Sequence, residues 1–135
     1  MLTDPSTALQ AAIKARLNAD AQITSLVADR IFDRVPNVPQ YPFITFGDTQ
    51  ILPETGEGTD GVEAFVTIHT WERFKGFDNV KSIGKLIIAL LHDADLSVSE
   101  NVLLSILLQS AHYLRDPDGL TSHGVLTFQI LTDAG

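Results

Sequence analysis

Apolar residues recur at helical spacing near the start of the chain, where Leu9, Ile13 and Leu17 fall on one stripe and Asp4 or Ser6, around Pro5, supplies the N-cap. After Asn18-Ala19-Asp20, the run Ile23, Leu26 and Val27 predicts a second short helical turn, and Ile31-Phe32 begins an extended piece. Pro36, Pro39 and Pro42 forbid helix and predict an extended loop. Residues 43–48 read as a strand. Residues 62–71 read as a longer one, in which Val62, Ala64, Val66 and Ile68 alternate with Glu63, Thr67 and His69 and face the core. Between these strands, residues 50–61 are rich in Gly, Thr and Glu and predict a loop too long for a tight hairpin, mobile in the isolated chain. A main helix is expected from Phe77-Asp78 to about His92, with Val80, Ile83, Ile87, Leu90 and Leu91 as its stripe, broadened by Leu86 and Ile88.

Residues 102–115 and 122–132 form an expected long hairpin turning at Asp116-Pro117-Asp118-Gly119. Proline at the first central position suits a type I turn, and Gly119 can take the positive φ of a following bulge. That turn sets Leu108 opposite Phe128, Ile106 opposite Ile130 and Ser110 opposite Leu126, which gathers the apolar sets on one face. The whole pattern predicts a single α+β domain over residues 1–135, a mostly antiparallel sheet of about four to five strands with two helices packed on one face. The other face is expected to carry Phe65, His69, Trp71, Leu107 and Tyr113, apolar enough to ask for a partner.

Composition sharpens this. With 44% hydrophobic and 19% charged residues the 135-residue chain is globular, long enough to bury one core without staples. The absence of cysteine removes disulfides, thiolate nucleophiles and sulfur-ligated metals, and fits a reducing cytosol. The N-terminus lacks the basic and apolar regions of a secretory signal, and no apolar stretch reaches membrane length, so no membrane partner is expected. A formal charge of −8, spread along the chain, opposes tight binding to a phosphate backbone.

Candidate chemistry dissolves into structure. Gly56-Glu57-Gly58-Thr59-Asp60-Gly61 spells a dinucleotide fingerprint, but a strand follows where a helix is needed, and Glu54, Glu57 and Asp60 repel phosphate. No cofactor is expected. His69 and His123 fall on the odd-numbered face, His112 on the other and His92 at a helix end favoured by the dipole, so no metal site converges. Asp116 and Asp118 are turn residues without the further oxygen ligands of a calcium loop. No serine sits in a nucleophile elbow. A catalytic site is not expected.

The segments Asp29-Arg30-Ile31-Phe32-Asp33-Arg34-Val35-Pro36, Tyr41-Pro42-Phe43-Ile44 with Gly47, His69-Thr70-Trp71, and Arg115-Asp116-Pro117-Asp118-Gly119 with His123-Gly124 resemble the tail completion, or tail terminator, family of long-tailed phages and gene transfer agents. The resemblance spans nearly the whole chain and its motifs are structural. It implies a homo-oligomeric ring, usually hexameric, assembled in the bacterial cytoplasm. The ring would sit at the tail–neck junction of the virion, end growth of the major tail tube protein and dock on a neck or stopper protein. DNA would pass through without specific binding. A neck adaptor or stopper is the alternative, and a small-molecule pocket near His69 or His112 a more remote one. Subunit or tube contacts are then expected from Ile51, Leu52, Phe65, Trp71 and Tyr113, and a channel-lining or interface loop from Glu54, Glu57 and Asp60.

Overall fold

The computed structural model describes residues 2–54 and 60–134. Helix α1 (Ser6–Asn18) and the short α2 (Ala21–Val27) precede a two-residue strand β1 (Ile31–Phe32). Then come β2 (Phe43–Pro53), β3 (Val62–Arg73), helix α3 (Asp78–Leu91) and the hairpin β4 (Asn101–Arg115) and β5 (Thr121–Ala134). The five strands form one sheet in the order β1-β2-β3-β5-β4, antiparallel except for the β1–β2 pair. This is the expected α+β arrangement.

Each helix forms for reasons visible in the chain. Asp4 accepts a hydrogen bond from the Ser6 amide ahead of α1, and Asp20 caps α2 by accepting from the Ile23 amide. The Leu9-Ile13-Leu17 stripe is fully buried, as are Ile83, Ile87 and Leu91 of α3. Each such side chain contributes about 1.5–3 kcal/mol of transfer free energy. These stripes meet the even-numbered face of β3 and β5, where Ala64, Val66, Ile68, Leu126, Phe128 and Ile130 are buried. Among the described residues no helix is long and apolar enough to cross a membrane.

Two expectations about the strands are corrected. Residues 50–53 are not loop: β2 runs to Pro53, which pairs with Val62 and tolerates its missing amide because β1 covers β2 only at Ile44 and Thr45. In the C-terminal hairpin, Leu108 does face Phe128 and Ile106 faces Ile130, but Ser110 pairs with Thr127 and Ala111 takes Leu126. The one-residue offset is not made at the turn. Next to the turn the Asp116 amide donates to the Thr121 carbonyl, and bulges at Leu103/Ser105 and Leu108/Ser110 then shift the register within β4. Gly119 has the expected positive φ of 72°. The turn is braced by Asp118, whose carboxylate accepts from the amides of Leu120 and Thr121 and from the Thr121 hydroxyl. Those bonds, the backbone ones foremost, hold its pKa down at about 2.

A bulge inverts every side chain beyond it. Tyr113, expected on the odd-numbered face, therefore turns under the sheet, where its ring lies against Gly84 of α3 and Gly124 of β5. A Cβ at either glycine would overlap the ring or its neighbour Thr70, so both positions require the bare backbone. His112 is carried the opposite way, onto the open face beside Val125. The β2 bulge between Phe46 and Thr49 does the same to Ile51, which pairs with Ala64 and packs against the core.

His92 has a second role besides ending α3. Its Nδ1 accepts the Leu108 amide at 3.0 Å, while the Asp93 amide donates to the Ile106 carbonyl at 2.7 Å. The outer edge of β4 is thereby stapled at its middle, which restrains an otherwise open template for strand addition.

Candidate functional site

The face of the sheet away from the helices is the candidate site, and its character changes along its length. At the end where β3 finishes, aromatic rings succeed one another: Tyr41 and Phe43 have centroids 5.0 Å apart, Phe43 and Trp71 6.1 Å, and Trp71 lies flat on His123 at 3.7 Å and 14°. Trp71 is fixed further by its indole N–H, which donates to the Thr45 hydroxyl. Arg73 extends the row, its guanidinium 5.5 Å from the Tyr41 ring centre and 3.4 Å from the Asp118 carboxylate. A hollow of about 450 Å³ opens here beside the loop that contains Val35 and Pro39. Farther along, the same face turns polar, with Gln50, Phe65, Thr67, Gln109 and Thr127 around a shallow hollow of about 650 Å³.

Strand pairing brings His69 and His123 together: His69 Nδ1 and His123 Nε2 are 2.6 Å apart. The Asp116 carboxylate lies 3.6 Å from His123 Nδ1, too long for a full hydrogen bond but close enough to favour the proton there. His123 Nε2 is then the acceptor and His69 Nδ1–H the donor. Gly47 lies directly beneath the far side of the His69 ring, where a Cβ would collide with Nε2. Burial lowers both imidazole pKa values; for His69 the neighbouring His123 adds to the fall while Asp48 opposes it, and for His123 Asp116 opposes it. Both rings are neutral at pH 7. Nitrogens this close exclude a metal ion between them, and among the described residues no group of three or more His, Asp or Glu side chains is arranged to hold one. The pair joins β3 to β5 and supports Trp71.

Of the side chains expected to make contacts, Leu52, Phe65 and Trp71 lie on this open face, whereas Ile51 and Tyr113 face the helices. Glu54 and Asp60 stand at the end of the β2–β3 hairpin, whose closing bond joins the Glu54 amide to the Gly61 carbonyl. Glu57 lies outside the described residues. The sequence did not point to Val38, Phe74, Leu104 or Leu120, all large apolar side chains exposed on loops or a bulge. Phe74 also holds a positive φ of 69°, unusual for a bulky residue.

The model of the tail completion protein gp17 family matches residues 11–133. The chain belongs to that family. As a tail completion protein it is a structural component of the virion tail. Among solved structures, a chain of the virion of a native gene transfer agent (GTA) particle superimposes with a TM-score of 0.88 at 24% identity, covering 96% of this chain and 97% of that one. At that identity the likeness establishes the fold. Curated proteins give no match.

Proposed function

We infer that this tail completion protein is the tail terminator, a ring, hexameric in our reading, at the head-proximal end of the tail tube. The ring ends polymerisation of the tube protein and presents its other surface to the neck or stopper protein. The observation that carries this reading is the family match over residues 11–133, together with a second sheet face left uncovered by the chain's own helices. Leu52, Phe65 and Trp71 are the candidate contacts on that face.

The net charge of −8 supports passage of DNA without capture, because an acidic wall offers no counterion-releasing contacts. Glu54, Glu57 and Asp60 border the channel in this reading, and residues 1–135 act as one unit. A neck adaptor is the competing role. Particles from a strain lacking the gene decide between them: a terminator's absence gives abnormally long, unattached tails, whereas normal-length, attached tails would remove the proposal. Tails of normal length that fail only to join heads would favour the adaptor.

A further inference from the structure

Two features of the surface are complementary and lie too far apart to meet within one chain. The first is a knob. Between β1 and β2, residues 33–42 form an arm whose tip, Val38, is 90% exposed, flanked by Pro36 and Pro39. Prolines on both sides restrict the arm before any contact is made, so little conformational entropy remains to be lost on docking.

The second is a hole. Glu54, Val62, Leu104, Leu131, Thr132 and Asp133 line a hollow of about 130 Å³. For scale, a dry apolar cavity of about 150 Å³ accepts a benzene molecule, so this one suits a single aliphatic side chain. Two independent details suggest that something fills it. The Thr132 hydroxyl is buried and has no hydrogen-bond partner among the described residues, a cost of about 1–3 kcal/mol unless an incoming group satisfies it. In addition, the β4 bulge leaves Leu104 without a cross-strand partner, 61% exposed on the rim. The rim carboxylates Glu54 and Asp133 favour an approaching cation, and the arm carries exposed Arg34 beside an equally exposed Asp33.

The arm borders the Trp71 end of β3 and the hole lies at its Val62 end, about 30 Å away at 3.3 Å per residue. Val38 is tethered at Phe32 and Phe43 and can extend only about 17–20 Å from either anchor. Its own hole is out of reach. We propose that Val38 of each subunit enters the Leu104–Thr132 hole of the next copy, with a backbone carbonyl of the arm accepting from the Thr132 hydroxyl. Such a contact joins two different patches of the same chain, the head-to-tail geometry that closes into a ring. This interface rests on the ring reading given above.

The chain has no cysteine, so an engineered pair reports without background. The double variant Val38→Cys/Leu104→Cys is oxidised in the presence of tail tubes and run under denaturing, non-reducing conditions. The expected result is a ladder of covalent oligomers ending at the ring size, whereas each single variant, with one thiol per chain, stops at dimer. In a chain otherwise unchanged, Val38→Asp places a carboxylate against Glu54 and Asp133 and should lower tube-end occupancy about tenfold or more, while Val38→Ile retains it. Rings or capped tubes that show no ladder and are indifferent to Val38→Asp would overturn this interface and leave the ring standing. A wild-type protein that neither forms rings nor caps tubes would overturn both.

Discussion

Replacing the paired imidazoles should change how stability depends on pH. Both pKa values lie below the ordinary 6.5, so as pH falls the unfolded chain takes up protons before the folded one does. The stability this contributes is complete above pH 6.5 and drains as pH falls towards the folded-state values. Each proton excluded from the native state steepens the loss by about 1.4 kcal/mol per pH unit, so two rings set a limit of about 2.7 kcal/mol per unit. The structure explains why the second proton is resisted: at 2.6 Å the facing nitrogens share one hydrogen, and protonating His123 Nε2 sets N–H against N–H. Stacking on Trp71 opposes this by favouring a charged His123 ring by about 0.5–1 kcal/mol, so the slope should stay below the two-proton limit. The assay is equilibrium urea denaturation at half-unit steps from pH 7.5 to 5.0, on wild type and on His69→Gln/His123→Gln. His92 and His112 remain in both and cancel. Wild type should lose more stability per pH unit than the variant below pH 6.5, by at most about 2.7 kcal/mol per unit. Equal slopes would refute the reasoning.

Two further substitutions test the packing and the sheet edge. Gly124→Ala places a methyl into Tyr113 and Thr70 and should destabilise by about 1–2 kcal/mol, the overpacking cost less the gain from a stiffer unfolded chain, read as a fall of about 3–8 °C in Tm. His92→Ala removes the acceptor of the Leu108 amide and should cost about 1 kcal/mol, with faster hydrogen exchange at Leu108 and more self-association through the β4 edge. Unchanged exchange at that amide would show that the edge is held by Asp93 alone.

The sequence made much of the fold legible wherever one face of an element is buried. The alternation of Val62, Ala64, Val66 and Ile68 fixed the face of β3, and the apolar pairs Leu108–Phe128 and Ile106–Ile130 fixed the middle of the hairpin. What escaped was the bulges, because an extra residue leaves no trace in a pattern as uniformly apolar as Val102-Leu103-Leu104 or Ile106-Leu107-Leu108. That is why Tyr113 and His112 exchanged faces. The end of β2 was hidden for a different reason: Gln50 and Pro53 read as loop, and only pairing with Phe65 and Val62 makes them strand. Of the site, His69 and His123 could be placed on one face by parity, but their direct bond depends on side-chain directions. The Val38 tip and the Thr132 hole had no signal at all, since an exposed valine in a proline loop and a buried threonine are each unremarkable alone.

The central pair β3 and β5 keeps step through twelve residue pairs, while β2 carries one extra residue and β4 two. Slack of this kind is distributed unequally for evolution. A one-residue insertion in the middle of β3 or β5 would turn half a strand inside out, setting threonines and histidines against the helices. The same insertion near Asp48, Leu104 or Gln109 falls where the ladder already yields, and it re-aims a few surface side chains. Relatives can therefore diverge along the two flanks while the inner strands stay fixed in length.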